Sequence, residues 1–154
     1  MPCEDIMLRN PDSLSPDTPL WDGLIMLAER GHRIIPLVSG DRQYQGALTR
    51  LHLLSLVLPD AVTIEDGLKN LGFVRGQMPV LRARLEAGRH LTLQEVLQRH
   101  PVDVPTIKPG TAIMEAIWLM YKDGFGVPVV DDDNRLLGLV TGKAAVRALK
   151  QMPV

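Results

Sequence analysis

The feature that most constrains the fold of this chain is a duplicated strand–turn–strand–helix unit. In residues 126–151, two short apolar runs flank a polar turn, and a segment rich in Ala, Lys, Leu and Arg follows. This pattern predicts a β-hairpin followed by a helix. Residues 35–58 follow the same plan. The fold must therefore accommodate two related halves.

Conformationally special residues establish how the two halves correspond. The matched pairs are Pro36 and Pro128, Gly46 and Gly138, and Thr49 and Thr141 at an offset of 92 residues, then Pro16 and Pro109, and Thr18 and Thr111, at an offset of 93. Coincident matches of such residue types are unexpected in unrelated segments. The offset changes by one residue between Gly31 and Pro36, where one copy gained or lost a position.

Turn and cap residues predict a second helix in each copy, ahead of the hairpin. These helices cover residues 19–30 and 112–123, and Gly31 and Gly124 end them because glycine readily adopts the left-handed conformation. Short strands at 13–15 and 102–107 precede them. Still earlier lie short helices at 4–9 and 92–99, the latter opened by the capping box Thr92-x-x-Glu95. Each copy thus reads helix, strand, helix, strand, strand, helix.

We assign residues 1–58 to the first repeat, 59–91 to a partly helical connector and 92–154 to the second repeat. The two repeats form one structural module. Within the connector, helices are predicted to begin at Thr63 and Pro79. The helices at 19–30 and 112–123 are apolar nearly all round, which predicts burial on more than one side, against the other repeat or another subunit.

Composition argues against several classes of protein. With 154 residues and 45% apolar residues the chain should fold as a globule. Its 17 Lys and Arg balance 18 Asp and Glu, whereas nucleic-acid or membrane-surface binding normally requires a basic excess. Cys3 is the only cysteine, no export signal is evident, and the longest apolar run is too short to span a bilayer. We therefore expect a soluble cytoplasmic protein.

In this order, and twice over, the segments resemble the cystathionine-β-synthase (CBS) domain family, arranged as the tandem pair called a Bateman module. The matching residues of the first copy are Asp5-Ile6-Met7 with Asn10-Pro11, Ser15 to Leu20, Ile35 to Val38 and Gly46 to Thr49; those of the second are Ile107 to Thr111, Gly126 to Asp131 and Gly138 to Thr141. The resemblance covers nearly the whole chain apart from the connector. It implies an α/β (α+β) fold of two βαββα repeats, packed with pseudo-twofold symmetry and each preceded by a short helix.

The resemblance also implies a function. Clefts between such repeats often bind adenosyl ligands, namely AMP, ADP, ATP or S-adenosylmethionine, and binding usually regulates a partner protein. Many of these modules form homodimers through their helices, which here are residues 19–30, 49–58, 112–123 and 142–151. Neither catalysis, nor binding of a nucleic-acid strand, nor a membrane role is implied.

Nucleotide-binding family members often carry T-x-x-D after the third strand; its threonine contacts phosphate or ribose and its aspartate holds the ribose hydroxyls. The chain has Thr49-Arg50-Leu51-His52 and Thr141-Gly142-Lys143-Ala144 instead, without the aspartate. His52 keeps a hydrogen-bonding side chain, whereas Ala144 does not. A threonine at a helix start lies among unpaired N–H groups that suit a phosphate. It is equally a favoured N-cap, and the two roles are compatible.

Basic residues beside these threonines have two interpretations. Arg50 and Lys143 either reach a phosphate at the helix start or remain solvated basic side chains. Thr106, at the start of the second copy's first strand, either meets a phosphate or is a plain strand residue.

The proline strands are the third set of candidate ligand-binding residues. Ile35-Pro36 and Val127-Pro128 match the positions of the family's base-binding backbone. The alternative is that each proline blocks further pairing at a strand edge. Gly126, beside Val127, lets a flat ring approach the backbone closely.

No metal or catalytic site is predicted. Residues 131–134 lack the glycine and the final glutamate of a calcium loop, and the four histidines lack metal-binding spacing. No catalytic constellation is visible. The leading hypothesis is therefore a regulatory ligand sensor. The alternative is a ligand-free interaction or oligomerisation module, which the missing aspartates and the two-sided apolar helices favour.

Overall fold

The computed structural model describes residues 1–58 and 78–154, and it confirms a mixed fold of helices and small antiparallel sheets. The elements in chain order are a 3₁₀ turn (Cys3–Asp5), β1 (Leu8–Arg9), α1 (Leu20–Glu29), β2 (Ile34–Val38), a 3₁₀ turn (Gly40–Arg42), β3 (Tyr44–Thr49), α2 (Arg50–Val57), α3 (Met78–Ala87), α4 (Leu93–Arg99), α5 (Ile113–Asp123), β4 (Val127–Val130), β5 (Leu136–Val140) and α6 (Gly142–Gln151).

Both predicted hairpins form. β2 pairs antiparallel with β3, and β4 pairs antiparallel with β5. The short strand predicted ahead of each repeat's first long helix is reduced to one bridged residue. Leu14 bridges Leu37 in parallel, and Ile107 bridges Val129 in the same way. Each repeat therefore keeps the order βαββα, and its first strand is a single bridged residue.

The glycines that end helices and the capping box of α4 act as the sequence predicts, whereas the N-caps of α1 and α5 are Pro19 and Ala112, one residue after the threonines Thr18 and Thr111 that the sequence favours. Gly31 and Gly124 follow α1 and α5 with φ angles of 74° and 82°, a region that costs glycine little. At α4, the Thr92 N–H donates to Glu95 Oε1 and the Glu95 N–H donates to Thr92 Oγ1, both at 3.2 Å. Of the two predicted connector helices, the one from Pro79 is observed as α3, and the one from Thr63 lies outside the described residues.

The helix predicted at residues 4–9 is wrong in extent. A 3₁₀ turn covers Cys3–Asp5, and Leu8–Arg9 forms the short strand β1. β1 pairs antiparallel with β5, with Leu8 opposite Leu139 and Arg9 opposite Gly138. The edge of β5 supplies hydrogen-bond partners for this backbone, so tertiary pairing overrides a weak local helix preference.

The segment that leads into each repeat packs on the other repeat. Leu93 and Val96 of α4 are fully buried in the core of the first repeat, with Leu20, Leu37 and Leu48. Backbone hydrogen bonds join the same surfaces, because the Leu93 N–H donates to the Thr18 carbonyl at 2.9 Å and the Leu20 N–H to the Leu91 carbonyl at 2.8 Å. The two repeats therefore share a packed core.

The N-terminal segment makes the reciprocal contact. Cys3 is fully buried in the core of the second repeat, with Ile107, Val127 and Val129. Its N–H donates to the Thr111 carbonyl at 2.7 Å. The exchange of lead-in segments is thus two-sided, as pseudo-twofold packing requires.

A third cluster joins the two sheets. Ile34, Ala47, Phe125 and Leu139, contributed by both repeats, are buried together. At the hairpin ends, the Tyr44 N–H donates to the Asn134 carbonyl at 2.9 Å, and Asn134 Nδ2 donates to the Tyr44 carbonyl at 3.1 Å. The repeats face each other through their sheets, and grooves remain along the line where they meet.

Candidate functional site

The larger groove between the repeats is a cavity of about 750 Å³, called the cleft below. Most of its lining comes from four stretches of chain: β1 and the residues after it, the turn between α1 and β2, the turn between α5 and β4, and the start of α6. The lining residues are Leu8, Asn10 to Asp12, Gly31 to Ile34, Met120, Gly124 to Gly126, Leu139 and Thr141 to Lys143. This volume lies within the usual range for small-molecule sites.

The start of α6 provides the part of the cleft best suited to an anion. Thr141 has extended backbone angles and is the N-cap, and its Oγ1 accepts from the Ala144 N–H at 3.1 Å. The first N–H groups of a helix and its dipole favour negative charge. The exposed side chain of Lys143 adds a positive charge in the same turn.

The cleft also contains charged and polar side chains that the sequence analysis missed. Asp12, His32 and Arg33 all line it. His32 Nε2 and Asp12 Oδ2 are 2.9 Å apart, close enough for a hydrogen bond and an ion pair. The sequence carries a signal for His32 and Arg33, which directly follow Gly31. Gly31 and Gly124 end equivalent helices, so the residues after the two glycines are expected to meet where the repeats face each other.

A second, smaller cavity of about 200 Å³ lies at the start of α2 and is lined by Arg33, Thr49 to Leu51 and Asp123 to Phe125. Thr49 and Arg50 of the predicted site are here. The Arg50 side chain donates to the Leu27 carbonyl at 3.4 Å, which holds it against α1. The two halves of the duplication therefore offer cavities of very different size.

His52, which stands where the first T-x-x-D motif would have its aspartate, caps the start of α2. Its Nδ1 accepts from the Thr49 N–H at 3.0 Å and lies 3.0 Å from Thr49 Oγ1. The residue is 1% exposed, and burial lowers the pKa of His52 to about 4. The imidazole is therefore neutral at pH 7 and serves as a capping group. It lines neither of these cavities.

The proline strands lie beneath the cleft surface. Ile35, Pro36, Val127 and Pro128 are all buried, and none of them lines either cavity, although Gly126 lines the larger one. The Pro36 carbonyl accepts from the Leu14 N–H at 3.1 Å, on the side where β2 has a single bridged neighbour. That arrangement fits the edge-strand explanation for the proline.

Thr106 is exposed and lines neither cavity. The structure therefore brings together Gly126, Thr141 and Lys143 at the cleft, and Thr49 and Arg50 at the smaller cavity. The ligand-binding role of all these residues stays a prediction.

Two features are absent from residues 1–58 and 78–154. No three His, Cys, Asp or Glu side chains in those ranges come close enough together to hold a metal ion. Over the same ranges, no helix has the length and apolar character needed to cross a membrane.

Comparison with known proteins identifies the repeated unit. The family model for the CBS domain matches residues 3–59 and matches again at residues 93–151. The chain belongs to the CBS domain family. Tandem CBS domains are in general regulatory modules, and the double match confirms the paired arrangement expected from the sequence.

Known CBS proteins share this architecture. CBSX2 from Arabidopsis thaliana, a CBS-pair protein, aligns with a TM-score of 0.72 at 20% identity, covering 97% of this chain and 94% of that one. A structure of CBSX2 in complex with AMP aligns with a TM-score of 0.67 at 20% identity, over 97% and 96% of the two chains. At such identities the likeness concerns the CBS-pair fold alone.

A relative is also found among curated proteins. It is an uncharacterized 33.4 kDa protein in the ribosomal RNA operon of Thermofilum pendens, 28% identical over 155 residues. The alignment covers 97% of this chain and 44% of the relative, so the chain spans less than half of the relative's length.

Proposed function

We propose that this CBS pair is a regulatory module that binds an adenosyl ligand in the cleft and thereby changes how it acts on a partner protein. The candidate ligands are AMP, ADP, ATP and S-adenosylmethionine. The observation that carries the proposal is the cleft of about 750 Å³, which opens onto the N-terminus of α6. The proposal gives the chain no catalytic role.

The chemistry of the cleft favours a ligand with an anionic group. Arg33 and Lys143 line it, together with the first turn of α6. Apolar groups from Leu8, Ile34, Phe125 and Leu139 line it as well and can accept a flat ring. A nucleotide combines these two requirements, and the CBSX2 complex with AMP is a precedent in a protein of the same fold.

A thermal-shift panel with the four candidate ligands tests the proposal. A ligand at a hundred times its Kd should raise the free energy of unfolding by about 2.7 kcal/mol, which corresponds to about 5–10 °C in Tm. Lys143→Gln should weaken AMP binding more than adenosine binding, because it removes a charge that only the phosphate needs. Lys122→Gln is the matched control, since Lys122 is exposed and lines neither cavity. A Tm that stays constant up to millimolar concentrations of every candidate would refute nucleotide binding.

The second candidate function is a module that assembles through its helices, and the exposed face of α5 and α6 favours it. This face, called the α5/α6 face below, consists of Met114, Trp118, Tyr121, Val146 and Leu149, which are 82%, 57%, 83%, 66% and 54% exposed. The Trp118 and Tyr121 rings stack with centroids 6.3 Å apart. Exposed apolar side chains on two helices that contact each other are typical of interaction sites.

The first repeat shows what covers the equivalent position on its own surface. Trp21 corresponds to Met114 at the offset of 93 residues, and α3 lies against it. Arg82 and Arg89 place their guanidinium groups 5.1 and 4.3 Å from the Trp21 ring centroid, within cation–π range. In the second repeat the equivalent residue, Met114, is 82% exposed.

We propose that a second copy of the chain covers the α5/α6 face. An isologous dimer places the α5/α6 face of one copy against the same face of the other. Light scattering at micromolar concentration should give twice the 17.0 kDa chain mass. Trp118→Lys should give a monomer, whereas Val80→Lys on α3, at a position 41% exposed, should leave the dimer intact. A wild-type monomer would remove this candidate.

A further inference from the structure

The cleft has a charge pattern that the α6 terminus alone does not explain. Of the described residues that line it, Asp12 alone is acidic, while Arg33, Lys143 and the neutral polar Thr141 and Asn10 account for much of the remaining polar lining. A carboxylate in a cleft of net positive charge does not serve the anionic part of a ligand. On the ligand, such a carboxylate can accept hydrogen bonds from a neutral donor or pair with a cation.

Asp12 is held in place rather than left on a free loop. It follows β1, whose backbone pairs with β5, and the adjacent Pro11 is buried. Asn10 takes a left-handed conformation with a φ angle of 54°, and its Oδ1 accepts from Arg42 at 3.3 Å. This support fixes the path of the chain into Asp12, as a binding group requires.

His32 orients the carboxylate itself. Its Nε2 lies 2.9 Å from Asp12 Oδ2, so Nε2 carries the proton and donates it. The side chain of His32 is 24% exposed and that of Asp12 is 67% exposed. One carboxylate oxygen is therefore engaged by the imidazole, and the carboxylate keeps lone pairs that accept further hydrogen bonds from the solvent side.

We propose that Asp12 is the residue that recognises a vicinal diol, the ribose hydroxyls of the nucleotide, with His32 as its positioning residue. This inference rests on the function proposed above and names the group that selects the sugar. A carboxylate can accept a hydrogen bond from each of two adjacent hydroxyls. A cationic ligand group is the weaker alternative, because Arg33 and Lys143 line the same cleft and repel it. Asp12 belongs to the segment that leads into the first repeat. Its carboxylate takes the place of the motif aspartate that the start of α6 lacks, where the chain has Ala144.

The test compares AMP with 2′-deoxy-AMP by calorimetry. Hydrogen bonds to a charged group support about a tenfold to hundredfold preference, and the exposure of Asp12 points to the lower value, about tenfold in favour of AMP for the wild type. Asp12→Asn should reduce the preference to about onefold to threefold. His32→Asn should reduce it in part. Asp17→Asn is the matched control, because Asp17 is exposed and lines neither cavity, and it should keep the full preference.

The outcomes separate this inference from the proposed function. If AMP binds and Asp12→Asn keeps the wild-type preference, the diol assignment is wrong while nucleotide binding stands. Equal binding of AMP and 2′-deoxy-AMP by the wild type has the same meaning. If Asp12→Asn weakens S-adenosylmethionine but leaves the sugar preference unchanged, the carboxylate pairs with a cation and the assignment is again wrong. If no candidate ligand binds the wild type, both the proposed function and this inference are wrong. Asp12→Glu, which keeps the charge but displaces it, is a second variant should Asp12→Asn fold poorly.

Discussion

Replacing Leu93 by alanine tests the central feature of this fold, the packing of α4 on the opposite repeat. Leu93 is 0% exposed. A Cβ placed on Gly23 of α1 would lie 3.0 Å from Leu93 Cδ2 and 2.7 Å from Leu48 Cδ2. α1, α4 and β3 are therefore already in close contact here, and their backbones have little room to close a cavity.

The expected loss follows from that packing. Buried Leu→Ala substitutions cost about 3–5 kcal/mol, and the cost is higher where the surroundings cannot collapse. For a chain of this size the loss corresponds to a fall in Tm of about 6–20 °C. Leu54→Ala on α2 is the matched control, because Leu54 is 56% exposed and should lose about 0.5 kcal/mol or less.

Urea unfolding followed by far-UV circular dichroism measures both variants. Because α4 belongs to one repeat by sequence and to the other by packing, we expect one cooperative transition whose midpoint shifts while its slope stays constant. A loss below about 1 kcal/mol for Leu93→Ala, or one no larger than that for Leu54→Ala, would contradict the exchanged packing. Two separate transitions would contradict it as well.

Two further predictions concern helix starts. Thr92→Ala removes the capping box of α4 and should lower the free energy of unfolding by about 1 kcal/mol in urea unfolding, whereas Thr106→Ala, at an exposed position just before the bridged Ile107, should change it little. The pKa of about 4 for folded His52 lies below its ordinary value of 6.5, so between these values the unfolded chain binds a proton that the folded chain does not. The free energy of unfolding should therefore have its full value above pH 6.5 and fall by up to about 3 kcal/mol as the pH drops to 4. His52→Asn should flatten this dependence while the exposed His90→Asn keeps it, and a wild-type stability that is independent of pH from 6.5 to 4 would count against the burial effect.

The parts of the fold that depend on local sequence were predictable. The hairpins, the glycines that end α1 and α5 and the capping box of α4 each rely on interactions within a few residues, so composition and spacing are sufficient to locate them. The strands β4 and β5 lie at the two apolar runs that the sequence shows within residues 126–151. The duplication then supplied the family and the pairing of the repeats, because two copies of a unit with an apolar sheet face must bury those faces.

Only part of the site was predictable, because some of its residues meet only through tertiary contacts. Thr141 and Lys143 belong to a motif of four residues, and a motif can be read without knowing what lies opposite. Asp12 and His32 are twenty residues apart and belong to no such motif. They meet because β1 is fixed against β5 and Gly31 turns the chain at the end of α1.

The sequence by itself determined where the two hairpins and most of the helices form, that the unit occurs twice, and that a threonine caps each helix after a hairpin. Tertiary structure alone decided that the lead-in segments exchange between repeats, that one groove is large and the other small, and that His52 turns inward to cap α2. The physical reason is that these outcomes depend on contacts between residues distant in sequence, where burial and close packing outweigh local preference.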